Sequence, residues 1–511
     1  MEDPKKKSLI NHWVEEFMRI YMLNPPYFPH FIRSARWQDT GRGGTLYYPI
    51  WLAYATGVLE REFETRLVDA PAWNWDLAKV LEDINNYKPS LVVIDSSFPS
   101  LNNDMKVADA IKASIEATMV LVGPPASQFP VKILESSNID IVARFEYDYT
   151  LLEIARAIKQ KENFNSINGI SFKGNGTIIN SPNRDWISSA ELDKIPFVSK
   201  VYKTHLNVKD YFLGSSLYPE VQIFTGRGCP NLCTFCSWPE TLMGRKYRVR
   251  SVENVLDELE WVEQNLPEVK EVFFEDDTFT ISKKRVAEFC HGYKSRGLKI
   301  AWACNARATL DYETMKLMKK AGCRLLIVGF ESGDEKILKN IKKGISVETI
   351  RQFAVNARKA RLLVHGDFII GLPGETIESI ERTKKIIGEV KPEILQVSVA
   401  SPFPGTDFYA WAKEKGHLIT DDPNEYLDEY GHQKAVISYP WLSAKAINVT
   451  VDEILKKYYL SCNYLPLAIR QLVRTNWHKE LTRILYSVKY FLKYIKHRPN
   501  SHSVGVTSEK S

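Results

Sequence analysis

The chain has 511 residues, 44% of them hydrophobic and 25% charged, with a net charge of +6. This length predicts two or three domains, and the globular composition excludes a low-complexity protein. Seven cysteines without regular pairing argue against a secreted disulfide framework, no run of eighteen apolar residues predicts a membrane-spanning helix, and the modest charge does not by itself indicate nucleic acid.

Residues 1–17 form a charged lead-in without the apolar core of a signal peptide. Met18–Pro26 then reads as a strand stopped at Asn24-Pro-Pro. A helix-like run at Tyr48–Leu59, a strand at Glu64–Asp69, a helix at Trp75–Asn85 and the apolar run Ser90–Asp95 follow. Next come a helix at Lys106–Thr118, the run Met119–Gly123, the runs Val131–Ser136 and Ile139–Ala143, and a helix at Thr150–Gln160. This alternation predicts a doubly wound, Rossmann-like α/β domain over 18–165. Ligands of such sheets sit beyond the carboxyl ends of the strands, which here offer Asn24, Ser96, Ser97 and Gly123. No G-x-G-x-x-G occurs, so a dinucleotide is not expected. Residues 166–216 read as a connector, with a hairpin turning at Asn175-Gly176.

After the β-type run Val221–Thr225, Cys229, Cys233 and Cys236 stand as C-x3-C-x2-C in a glycine-led loop. That spacing lets three thiolates close on one small cluster. A 4Fe–4S cube needs four ligands, so three thiolates leave one iron open to a small molecule. The competing reading, a zinc knuckle, wants four ligands in two separated pairs, and no such pair lies nearby. The remaining cysteines, Cys290, Cys304, Cys323 and Cys462, read as buried small hydrophobes.

Strand–helix repeats continue to 420, with strands at Val221–Thr225, Glu271–Phe274, Lys299–Asn305, Arg324–Phe330, Leu363–Ile370 and Glu393–Ala400. Six such units predict an open, partial (β/α)6 barrel over 217–420, with chemistry at the strand ends. Those ends carry Glu275-Asp276-Asp277, suited to an ammonium, a ribose or a metal, and Asn305 with Arg307, suited to a carboxylate. They also carry Glu331 and Ser332, suited to a ribose, and Gly371 to Glu375, whose glycines permit approach of a flat base. Residues 421–511 read as a helical region with a polar tail from Pro499. Within 467–498, apolar residues recur at helical spacing among many basic residues and one acid, Glu480. Such a basic amphipathic helix either lies on a membrane surface or docks on the barrel with its basic side in water.

The cysteine motif resembles that of the radical S-adenosylmethionine (SAM) enzymes, and the resemblance runs from Thr225 to Thr406. It implies that SAM chelates the open iron and is cleaved reductively to a 5′-deoxyadenosyl radical. It further implies that Glu275–Asp277 meet the SAM amino group, Glu331 and Ser332 its ribose, and Gly371–Glu375 its adenine side. A Rossmann-like domain directly before such a core resembles the cobalamin-dependent branch, although the cobalt-ligating D-x-H-x-x-G motif is absent. Thr225–Cys229, Cys233–Pro239, Phe273–Thr280 and Asn340–Gly344 are most similar to hopanoid-associated members linked to cyclitol-ether head groups. The expected activity is therefore modification of a membrane-lipid head-group intermediate by carbon-skeleton rearrangement, with methyl transfer from methylcobalamin as the alternative. The resemblance implies a reducing cytoplasmic setting, at the inner membrane surface if 467–498 binds lipid. It also implies an electron donor such as flavodoxin or ferredoxin. A tRNA methylthiotransferase is disfavoured, because residues 1–165 contain no cysteine and the C-terminus reads as helical.

Overall fold

The computed structural model describes residues 18–174, 176–474 and 477–497. The lead-in 1–17, Asn175 of the expected turn and the polar tail lie outside them. Two sheets organise the chain. The first contains β1 (Arg19–Asn24), β2 (Glu64–Asp69), β3 (Leu91–Asp95), β4 (Thr118–Val122), β5 (Ile141–Ala143), β6 (Ile170–Gly174) and β7 (Thr177–Asn180), in the order β2-β1-β3-β4-β5-β6-β7. The first five are parallel, and the chain reverses direction across the sheet between β1 and β3, the doubly wound pattern. β3 is buried throughout, as expected of a strand covered on both faces.

Two expectations are corrected here. The expected hairpin forms, as β6 and β7, but it extends the first sheet by antiparallel pairing of β6 on β5 instead of lying in a separate connector. Ile170 and Phe172 are buried by this pairing, and β5 is no longer an open edge. The apolar run from Val131 is not a strand; Pro130–Ser136 is a helix begun by a proline at its first position.

The second sheet holds the six parallel strands expected of a partial barrel. After β8 (Glu220–Ile223) comes a small antiparallel pair, β9 (Gly226–Arg227) and β10 (Arg248–Val249). The barrel continues with β11 (Glu271–Phe274), β12 (Ala301–Ala306), β13 (Cys323–Glu331), β14 (Leu363–Ile370) and β15 (Ile394–Val399), in the order β15-β14-β13-β12-β11-β8. The intervening helices start where the sequence supplies caps: Ser251, Asp311, Ser346 and Thr376 each accept a backbone N–H of the first turn. Alternation along the strands sends Val272, Phe274, Trp302 and Phe368 outward into the core beneath those helices. Phe273, Ala303, Leu325 and Leu363 point inward, packed with Leu213 at the amino end of the barrel.

Helix α1 (Ile50–Leu59) joins the two sheets and is buried along its whole length. The Tyr54 hydroxyl accepts from Phe224 N at 2.9 Å, and just before the helix the Tyr48 hydroxyl donates to Glu220 O at 2.7 Å. The region after 420 is not helical from its start. Residues 417–443 are irregular, and Tyr426 there packs with Phe403 and Phe98 over the first sheet. The helices that follow are Ala444–Tyr459, α2 (Leu465–Arg474) and α3 (Trp477–His497). Cys290, Cys304 and Cys323 are buried as expected, but Cys462 is exposed in the turn before α2.

Candidate active site

The cysteine loop leaves β9 and returns at β10. Gly228 takes a φ of +89°, and a Cβ there would stand 2.1 Å from Lys246 O, so only glycine lets the two arms approach. Cys229 N donates to Gly244 O, Thr234 N to Ile341 O, and Phe408 N to Thr234 O, fixing the loop at both ends and its middle. Beneath it, buried acids of the first domain hold the bracket: Arg227 pairs with Asp148 at 2.7 Å and Arg248 with Glu146 at 2.6 Å. The thiols are unbridged. Burial raises the pKa of Cys229 and of Cys236; Asp277 adds to both shifts.

The acid end of β11 lies against this loop. Asp276 is committed to structure, accepting from Thr225 N and Thr225 Oγ1 at 2.6 Å each. Glu275 and Asp277 instead meet Arg36, which arrives from the segment between β1 and α1. Its guanidinium reaches Glu275 Oε1 at 2.7 Å and Asp277 Oδ1 at 2.9 Å, and lies 4.1 Å above the Trp238 ring just past Cys236. Glu275 Oε2 and Asp277 Oδ2 are buried without a hydrogen-bond partner. Burial pushes Glu275 up to about 7 against the pull of Arg36.

The other strand-end residues divide into two groups. Asn305 donates to Asp276 O and Arg307 to Lys343 O, both at the same mouth. Glu331, at a bulge of β13 with φ +67°, accepts from Lys343 Nζ at 2.6 Å. Its carboxyl is raised by burial and opposed by Lys343. Ser332 and Glu375, by contrast, are turned into the protein. Ser332 Oγ lies 3.2 Å from Thr383 Oγ1, and Glu375 Oε2 accepts from Gly371 N and Leu372 N, locking the Gly371 turn (φ +100°).

Sequence reading missed Arg36, Lys343 and the inner wall of the barrel. On that wall Gln222, His365 and Asp367 carry Gln222 Oε1, Asp367 Oδ1 and both His365 ring nitrogens without hydrogen-bond partners. His365 Nε2 lies 3.2 Å from Asp367 Oδ1 but out of hydrogen-bonding alignment. Tyr47 stands among Glu275, Asp367 and Glu220: burial first, then those three charges, raise its phenol. His365 and Asp367 were visible as polar residues in a strand expected to be apolar; Arg36 had no pattern to find it by.

At the first sheet, Asn24 donates to Asp69 and accepts from Arg33, while Arg33 pairs with Asp104 at 2.7 Å. Ser96 bonds Asp104, and the Ser97 and Ser100 hydroxyls lie 2.6 Å apart. Gly123, at φ +101°, lines a cavity of about 10 Å³ with Asp95, Tyr147 and Trp238. Ser34 Oγ, Trp51 Nε1, Tyr147 OH and Trp238 Nε1, all from residues on that cavity, have no hydrogen-bond partner.

The model for the radical SAM superfamily matches residues 223–387. An uncharacterized methyltransferase of Pyrococcus horikoshii, PH0819, is 31% identical over 412 residues, which are 80% of this chain and 86% of that one. The chain belongs to the radical SAM superfamily of enzymes. The anaerobic magnesium-protoporphyrin IX monomethyl ester cyclase of Rubrivivax gelatinosus is 26% identical over 450 residues, 81% of this chain and 78% of its own. Among solved structures, the radical SAM methyltransferase TsrM of Kitasatospora setae, with cobalamin and a 4Fe–4S cluster bound, has a TM-score of 0.67. That likeness of fold covers 93% of this chain and 99% of TsrM at 16% identity.

For a radical SAM enzyme the residues can be tested against the cofactors. Three free thiols on a pinned loop, beside two buried unpartnered carboxylate oxygens, suit an iron–sulfur cluster with an ammonium-bearing ligand. The thiols are not already closed on one point, since among the described residues no Cys, His, Asp or Glu trio forms a metal-ligand set. At the first sheet the four unpartnered polar atoms suit an amide-rich ligand in polarity. A space of about 10 Å³ holds roughly one water. A corrin therefore enters only if side chains lining that space are displaced.

Proposed function

We propose that the chain is a cobalamin-dependent radical SAM methyltransferase acting on an unactivated carbon of a membrane-lipid intermediate. The observation that carries this reading is the meeting of the thiol loop with the unpartnered oxygens of Glu275 and Asp277 across Arg36. Cys229, Cys233 and Cys236 would hold the cluster. Glu275 and Asp277 would receive the SAM ammonium, while Glu331 with Lys343, Asn305 and Arg307 frame the rest of that ligand. Gly371 and Glu375 shape the adenine side, Glu375 bracing the turn through Oε2 and keeping Oε1 without a partner.

Ser34, Tyr147 and Trp238 would face cobalamin once that space is opened, with Gly123 beneath. Asn24, Ser96 and Ser97 support that floor through their own network. When bound, these cofactors supply one-electron cleavage of SAM and a transferable methyl group. The residues of the chain keep water from the site and orient the substrate: Gln222, His365 and Asp367 offer hydrogen bonds to a polar head group, consistent with a hopanoid- or isoprenoid-type lipid. Electrons would come from a flavodoxin- or ferredoxin-type donor.

Methyl transfer is preferred to skeleton rearrangement because the 31% identical relative is named a methyltransferase. Oxidative cyclisation is the second reading, favoured by the cyclase relative. The test is an anaerobic reaction of reconstituted protein with cobalamin, SAM, reductant and a lipid extract, read by mass spectrometry. The expected result is S-adenosylhomocysteine and deoxyadenosine rising together with a methylated lipid. Deoxyadenosine and an altered lipid without S-adenosylhomocysteine would replace methyl transfer by rearrangement or oxidation.

A further inference from the structure

The last two helices reverse the arrangement the sequence suggested. Among their described polar residues, Gln471, Glu480 and Arg483 are buried against the protein. Arg324, at the start of β13, joins Glu271 and Glu480 at 2.8 Å each, and Arg483 meets the other oxygen of Glu480 at 2.8 Å. Arg470 reaches Glu393 at 3.1 Å, and Gln471 is buried against the same residue. These contacts cap the amino end of the barrel with polar groups. A helix whose polar side is buried must turn its apolar side outward.

It does so along both helices, which pack against one another. On α2, Ile469 and Val473 are 50% and 74% exposed; on α3, Leu481, Leu485, Val488 and Leu492 are exposed at spacings of four, three and four. Such spacing places them on one face. The sequence from 465 to 497 holds seven lysines and arginines against the single acid Glu480. Glu480 is neutralised inside by Arg324 and Arg483, and the stretch carries a net positive charge. Exposed Lys489 stands one turn beyond Leu485.

We infer that α2 and α3 form a docking face for an anionic lipid bilayer surface, with the apolar stripe in the acyl boundary and the basic residues at the headgroups. The net charge of the stretch is positive, and the surface complementary to a cationic, apolar helix face is an anionic lipid leaflet. No described helix is long and apolar enough to cross a membrane, so the contact is peripheral. It brings the barrel to the surface where a lipid substrate resides, but it does not depend on which reaction the barrel performs.

The test is co-sedimentation of the full, reconstituted chain with phosphatidylcholine vesicles, with and without phosphatidylglycerol. Two to three lysines at such a surface favour the anionic vesicles by about a hundredfold in partitioning, and high salt removes that preference. Val473→Glu with Leu485→Glu should abolish binding while circular dichroism and SAM cleavage stay as in the wild type. Equal partitioning to both vesicles, wild-type binding by the double variant, or a stable dimer in light scattering that the double variant dissociates would each overturn the proposal.

Discussion

The two parallel sheets present polar residues at the carboxyl ends of their strands, and the side chains on the strand ends themselves are bonded differently in the two. At the first sheet, Asn24, Asp69, Arg33, Asp104, Ser96 and Ser100 bond one another. At the barrel, Glu275, Asp277, Gln222 and Asp367 each keep one buried oxygen without a hydrogen-bond partner, and His365 on the inner wall keeps both ring nitrogens so. Buried polar groups are nearly always satisfied, and leaving one without a partner costs about 1–3 kcal/mol. A closed network therefore acts as scaffold, and an open one is where a ligand completes the bonding. The segment from 25 to 45 takes part in both, with Arg33 sealing the first sheet and Arg36 facing the open acids of the second.

The sharpest way to break this comparison is to remove each arginine. Arg33 and Asp104 are fully buried, so Arg33→Met strands a carboxylate and should cost about 3–5 kcal/mol in chemical denaturation, with SAM binding unchanged in the protein that remains folded. Arg36 is about 30% exposed, and Arg36→Met should cost less, about 2 kcal/mol, yet it should impair SAM cleavage. Equal effects of the two variants on cleavage would erase the distinction.

On the inner wall, Asp367→Asn should change stability by less than about 1 kcal/mol, because Asp367 Oδ1 makes no hydrogen bond in the fold, while lowering the yield of modified lipid. The smallest effect is a pH slope. Burial holds Glu375 up at about 8, against an ordinary value of 4.5, with Gly371 N and Leu372 N opposing the shift. An acid raised in the fold stabilises it below the ordinary value and loses that contribution as pH rises through about 8. Between those limits the melting temperature of the wild type should fall more steeply than that of Glu375→Gln.

Much of the fold was legible because apolar runs such as Leu91–Ile94 and Val272–Phe274 have no other use than a buried strand. The cysteine loop was legible because Cys229, Cys233 and Cys236 are contiguous in sequence. Arg36 was not, since it lies in an aperiodic loop and reaches Glu275 only through the packing of one domain on the other. Ser332 and Glu375 were placed at the correct strand ends, but the sequence does not say whether a side chain turns toward a ligand or a backbone N–H. The same limit explains the terminal helices. Periodicity tells which residues of α3 share a face, and only the ion pair of Arg324 with Glu480 decides which face is buried.

The most direct test of the account is release of deoxyadenosine from SAM by anaerobically reconstituted wild type and Cys233→Ala, with the iron–sulfur absorption recorded on the same samples. The expected result is absorption and cleavage in the wild type and neither in the variant. Cleavage retained by Cys233→Ala would contradict the assignment of the loop as the cluster site.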